Sequence, residues 1–223
     1  MNAARNSLLI SGAVLLLSFA AALSILGSPQ EVAPPIQGAV LPTPKRLAEF
    51  QLRDHSGGLV DRSSFQQQWH LVSYGFTYCP DVCPTLLADL SRFQSLLDEQ
   101  GEFSDLKIWF YSIDPARDSV EALANYVPWF DSDFVGLRAD DAKQAQSFER
   151  SLGIRATITG TVGNEDYQVA HGFRLYLIDE SGRLRAALTP TRMRDGREFY
   201  EPEVLLKDYL ALRDWVRKSA TSG

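Results

Sequence analysis

The chemistry open to this 223-residue chain rests on two cysteines and three histidines. The cysteines are Cys79 and Cys83, and the histidines are His55, His70 and His171. Four-residue spacing brings two sulfurs onto one side of a single helical turn. An apolar run, His70 to Thr77, precedes the pair, and Pro84 suits the first turn of a helix. The cysteines therefore sit between the end of a buried strand and the start of a helix. A helix N-terminus carries partial positive charge and unpaired N–H groups, and both favour a thiolate. That thiolate is the nucleophile of thiol exchange and also the ligand of soft metals. The pair thus fits a disulfide or chelation of a soft ion. A purely structural disulfide here would close a very small loop and gain little in the chain-entropy account. Two unrelated buried cysteines would not be expected side by side in an exported chain that has no others.

His171 lies just before an apolar run, Phe173 to Asp179. A lone histidine there is by default structural. Two thiolates and one imidazole, however, suit Cu(I), a soft ion that accepts low coordination numbers. Zinc at a structural site would require a fourth protein ligand. His55, in a polar turn, and His70, at the far end of the strand leading to the cysteines, are weaker candidates. Met193 is the only methionine besides the initiator, so a methionine-rich copper site is excluded.

The elements that must position these residues alternate between strand and helix. Leu47–Leu52 alternates weakly as a strand. His70–Thr77 reads as a buried central strand. Leu86, Leu87, Leu90, Phe93, Leu96 and Leu97 share one face of a helix that Gly101 stops. Leu106–Ile113 is a second buried strand. Asp118 caps the following helix, with Glu121 three residues on. Phe134–Leu137 is a short strand and Ala142–Leu152 a helix. Residues 155 to 168, with Gly160, Gly163 and Asn164, form a loop or hairpin leading to His171. Phe173–Asp179 and Leu184–Leu188 form a hairpin about a Ser181-Gly182 turn, and Glu203–Arg217 is a closing helix. This alternation specifies an α/β layered domain. Hydrophobic residues make up 45% and charged residues 22%, which excludes a disordered chain. A net charge of -6 provides no field for nucleic acid, so no nucleic-acid partner is expected.

Leu8 to Leu26 is an uninterrupted apolar run without charge, long enough as a helix to cross a bilayer. Residues 1–27 are expected to be a membrane anchor, with a cleaved signal peptide as the alternative. Arg5 before the run places the N-terminus inside and the domain outside. Residues 28–45, with five prolines, read as a semi-rigid tether. The domain then spans 46–218 and a polar tail 219–223.

Phe76-Thr77-Tyr78-Cys79-Pro80-Asp81-Val82-Cys83-Pro84, then Ser112-Ile113-Asp114-Pro115-Ala116-Arg117-Asp118, then His171 before Tyr176-Leu177-Ile178-Asp179 resemble the Sco/SenC copper-chaperone family. The resemblance covers residues 43 to 215 and the anchor in front. It implies a thioredoxin-like fold, a central sheet flanked by helices, with an N-terminal transmembrane helix. It implies Cu(I) held by Cys79, Cys83 and His171. It also implies help in assembling the dinuclear copper centre of cytochrome c oxidase. The expected partners are the oxidase's copper-binding subunit, a periplasmic copper donor or thiol reductant, and the membrane. The expected location is the plasma (inner) membrane as a single span, with the domain on the periplasmic side, and the mitochondrial inner membrane second. The resemblance also places Asp114 near the site, while Tyr78 is expected to pack over it. The sequence departs from the family beside the histidine. Ala170 replaces an acidic residue and Gly172 a small hydroxyl residue, which removes a partner that would orient the imidazole.

Two functions follow. One is copper delivery by ligand exchange. The other is thiol–disulfide exchange, with Cys79 and Cys83 as a redox-active pair that keeps a partner's copper-ligand cysteines reduced. His171 favours delivery, because exchange does not need it. The Cys-x-x-x-Cys spacing also departs from the Cys-x-x-Cys of thioredoxin-type enzymes.

Overall fold

A computed structural model describes residues 32–101, 106–162 and 167–221. The expected membrane anchor lies outside them. Among the described residues no helix is long and apolar enough to cross a membrane. Pro34–Ser222 form one compact unit.

The strands are β1 (Gly38–Arg46), β2 (Gln51–Asp54), β3 (Leu59–Asp61), β4 (Trp69–Gly75), β5 (Leu106–Ser112), β6 (Val135–Arg138), β7 (Ala156–Thr159), β8 (Gln168–His171), β9 (Leu175–Ile178), β10 (Arg183–Leu188), β11 (Thr191–Arg192) and β12 (Glu198–Phe199). The helices are α1 (Val82–Glu99), α2 (Val120–Tyr126), α3 (Ala142–Leu152) and α4 (Pro202–Thr221). Eight strands make one mixed sheet in the order β1-β10-β9-β4-β5-β6-β2-β3. Strand β4 is central and buried along its whole length, as its continuous apolar run requires. It runs parallel to β5 and antiparallel to β9. Strands β7 and β8 form a separate two-stranded ribbon in which His171 pairs with Ala156.

Side chains along β4 alternate between the two faces of the sheet. Trp69 meets Tyr209 of α4, which also meets Phe93 of α1. His70 faces the other way, against Phe65 and Trp109. Helix α1 buries Cys83, Leu86, Leu87, Leu90, Phe93 and Leu97. Each large apolar side chain buried there contributes on the order of 1.5–3 kcal/mol.

Four expectations need correction. Gly38–Lys45 of the expected tether is an edge strand, paired with β10; the prolines are accommodated because an edge leaves N–H positions unpaired. Leu47–Phe50 is not strand; Leu47 and Phe50 are anchored by burial, and the strand begins at Gln51. Asp118 does not cap α2. Ser119 does, accepting from Ala122 N–H at 3.0 Å. The last helix runs on through Lys218 to Thr221, into the expected tail.

Candidate functional site

The cysteines follow the C-terminal end of β4, where a central strand gives way to a helix start, a usual place for ligand sites in open α/β sheets. Cys79 lies in the connecting loop, and Cys83 lies in the first turn of α1. Both are unpaired thiols, and Cys83 is fully buried. Their closeness to the strand depends on Gly75. A Cβ there would stand 2.6 Å from Cys83 Sγ and 3.1 Å from Phe110 Cε2.

The two thiols differ in character. The Cys83 thiol donates to Cys79 sulfur and holds the Cys79 pKa down to about 5; the backbone N–H groups of Cys83 and Asp81 and the charge of His171 act the same way, against burial. The Cys83 pKa moves far upward, first because its proton serves that hydrogen bond and then through burial. The arrangement is a thiolate at Cys79 with its proton donor at Cys83.

His171 reaches this end of the sheet from the other face. Its ring lies 5.4 Å from that of Tyr74 and 5.9 Å from that of Phe76. Tyr74 and Gly75 are consecutive, so one meets the imidazole and the other the buried thiol. His171 Nδ1 lies 2.6 Å from the Gly172 carbonyl. A carbonyl only accepts, so Nδ1 carries a proton, and in the neutral ring Nε2 holds the lone pair. The backbone thus supplies an orienting partner where the family's acidic neighbour is replaced by the exposed Ala170. The Gly172 departure also has a steric counterpart: a Cβ there would stand 2.9 Å from Tyr74 Oη. Among the described residues no three His, Cys, Asp or Glu side chains are gathered closely enough to hold a metal ion as they stand.

The other histidines serve the fold. His55 Nδ1 accepts from Gly136 N–H at 2.9 Å. His70 Nδ1 accepts from Trp109 Nε1–H at 2.8 Å, deep in the core. Asp81 sits at the N-cap of α1 without a side-chain capping bond. Tyr78, beside Cys79, is 67% exposed.

Sequence reasoning missed the carboxylate that fixes the cysteine loop. Asp118, fully buried, accepts from Thr77 N–H at 3.0 Å, Thr77 Oγ1–H at 2.6 Å and Ser112 Oγ–H at 2.6 Å. Burial raises its pKa against those bonds. Ser119, a better capping residue one position on, was the signal that Asp118 was free for another task. Tyr126 was also missed. Its hydroxyl is buried without a hydrogen-bond partner, and its pKa is raised by burial first and then by the nearby Cys83 and Cys79.

The model of the SCO1/SenC family matches residues 40–198. The chain belongs to the SCO1/SenC family. A Stutzerimonas stutzeri protein named for copper binding is 30% identical to this SCO1/SenC chain over 167 residues, covering 74% of this chain and 80% of that one. ScoI of Bradyrhizobium japonicum, solved with copper bound, is 29% identical with a TM-score of 0.58, over 77% of this chain and 98% of that one. Apo Sco1 of Thermus thermophilus is 29% identical with a TM-score of 0.66, over 80% and 97%. The fold is therefore the thioredoxin-like α/β fold of Sco proteins. The chain spans about half the length of the mitochondrial SCO1 and SCO2 relatives it matches.

Proposed function

We propose that this SCO1/SenC protein binds Cu(I) through Cys79, Cys83 and His171 and passes it to the copper-binding subunit of cytochrome c oxidase. The observation that supports this reading is that two unpaired thiols follow the C-terminal end of β4, while His171 lies against Tyr74 and Phe76 of the same chain segment and acts electrostatically on Cys79. A soft monovalent ion suits two sulfurs and one imidazole. Membership in a family with a copper-bound solved relative supports the choice of ion. Cys79 enters as the ready thiolate and Cys83 gives up its proton on binding, so loading releases a proton. His171 closes on the dithiol by movement of the β7–β8 ribbon. The apolar run Leu8–Leu26 supports tethering to the plasma (inner) membrane, with the domain on the periplasmic side.

The test is Cu(I) binding by the reduced full chain in detergent, set against a chromogenic Cu(I) chelator. One-to-one binding that fails in a Cys79→Ser/Cys83→Ser variant and weakens by about 10–100-fold in His171→Ala is the expected result. Equal affinity with and without His171 overturns the ligand set.

One observation favours a second activity of the same pair. A thiolate at Cys79 with a proton-bearing Cys83 beside it is the arrangement thiol–disulfide exchange needs. Cys79 attacks a partner disulfide and releases one partner thiolate. Cys83, deprotonated in turn, resolves the mixed disulfide. The partner leaves as a dithiol and this chain holds the disulfide, which an external thiol must reduce. Exchange that Cys83→Ser arrests at the mixed disulfide with the partner, and that His171→Ala leaves unchanged, separates this activity from copper binding.

A further inference from the structure

Arg117 stands between the two parts of the chain that carry the candidate ligands. Its guanidinium is 3.9 Å from the ring centroid of Tyr167, the residue just before β8, and its Nη1 donates to the Tyr167 carbonyl at 3.3 Å. On the cysteine side the same guanidinium lies 5.5 Å from the Phe76 ring and 5.4 Å from the Tyr78 ring. Asp114 fixes it from below: one carboxylate oxygen accepts from Arg117 Nε and the other from Tyr167 Oη. Asp114 is 1% exposed, and its own N–H is held by Ser112 Oγ at 3.1 Å. Ser112 Oγ–H in turn donates to Asp118, which binds Thr77. A continuous set of bonds therefore runs from the cysteine loop through Asp118, Ser112 and Asp114 to Tyr167, the residue just before the strand that ends in His171.

We propose that Arg117, clamped between Asp114 and Tyr167, is a positioning residue that ties the histidine-bearing ribbon to the cysteine loop and so sets how far His171 must travel to join the two sulfurs. The ribbon makes no ladder with the main sheet, so such a tie cannot come from strand pairing. Tyr167 directly precedes β8, and the burial alternation of that strand carries back to it, so that Tyr167, Val169 and His171 are the inward residues. Fixing Tyr167 limits His171 to a short arc. A lysine cannot replace this arginine, because the site uses a planar cation stacked on a ring and hydrogen-bonded through two nitrogens. The inference rests on the reading of Cys79, Cys83 and His171 as copper ligands.

The experiment is a double-mutant cycle in Cu(I) affinity, using the reduced full chain in detergent and a chromogenic Cu(I) chelator as competitor. Arg117→Gln is expected to weaken binding by about tenfold when His171 is present, the effect typical of groups that orient a metal ligand. It is expected to have no effect in the His171→Ala background. Arg117→Lys, which keeps the charge, covers the case in which Arg117→Gln folds poorly, and is expected to lose part of the affinity in the same dependent manner. Equal losses in both backgrounds, or none in either, overturn the proposal. Amide hydrogen exchange supplies the readout that does not involve copper. Arg117→Gln should speed exchange across Gln168–His171 while leaving Leu86–Leu97 of α1 unchanged; unchanged exchange in the ribbon overturns the tie. If His171→Ala alone leaves copper affinity unaltered while the exchange result holds, the tie stands and the ligand assignment fails.

Discussion

Gly75 and Cys83 touch through an atom that Gly75 lacks: a methyl group at position 75 would lie 2.6 Å from Cys83 Sγ. Gly75 is held opposite Ser112 of β5, and its carbonyl accepts from Ile113 N–H at 2.9 Å, so the strand resists retreat there. In Gly75→Ala the thiol and the first turn of α1 must move instead. The expected cost is about 1–3 kcal/mol, the range for an overpacked core. Urea unfolding measures it. Stability equal to that of the parent chain would show that the thiol does not rest against the strand.

The hydrogen bond from Cys83 gives Cys79 a low pKa, about 5. Alkylation of the reduced chain by iodoacetamide should therefore rise with a midpoint near pH 5 and level off before neutrality. Cys83→Ala removes the donor, and the midpoint should move up towards the ordinary thiol value of about 8.5. A midpoint near 8.5 in the unaltered chain contradicts the paired arrangement.

His70 connects the core to acid stability. Burial first, and the charge of Lys107 second, hold its pKa down at about 4. The unfolded chain takes up this proton at about pH 6.5. Between these values the unfolded state binds more protons than the folded one, so stability falls as pH falls. The contribution is complete above about pH 6.5, and up to about 3 kcal/mol is lost on the way down to about pH 4. Urea unfolding at pH 7.5 and pH 4.5 should show the loss, and His70→Gln should reduce the slope. An equal slope in the variant would assign it to other groups.

Tyr126 predicts the opposite sign. Its buried hydroxyl has no partner, and an unmatched buried hydroxyl destabilises a fold. Tyr126→Phe should raise stability by about 1 kcal/mol while keeping the ring contacts with Phe110 and Phe130. Loss of stability in this variant would mean that the hydroxyl is satisfied in solution.

Much of this architecture could be read from local pattern. The continuous apolar runs of β4 and β5, the heptad-like leucines of α1 and the span of α3 each carry one dominant periodicity, and burial follows it. The Cys79–Cys83 pair was legible because a strand end, a helix start and two thiols coincide within a few residues. What local pattern missed depends on partners far along the chain. The strand character of Gly38–Arg46 comes from pairing with β10, some 145 residues later. The task of Asp118 is defined by Thr77, 41 residues earlier. The position of His171 depends on Tyr74, Phe76 and its own ribbon as well as on the adjacent Gly172 carbonyl, and a glycine at 172 became intelligible only once Tyr74 Oη was seen to occupy the space.

Among the described residues, β7 and β8 pair as strands only with each other, whereas Cys83 is set in the first turn of an 18-residue helix. Unequal anchorage gives ligand exchange a sequence in time. A segment outside the main sheet opens at lower free energy than a buried helix end. In the proposed transfer, the imidazole would depart first, leaving Cys79 and Cys83 as the remaining ligands and the side the histidine vacated open. An acceptor would then approach from that side, and the final step would be displacement of the two thiolates of this chain by the acceptor's own ligands.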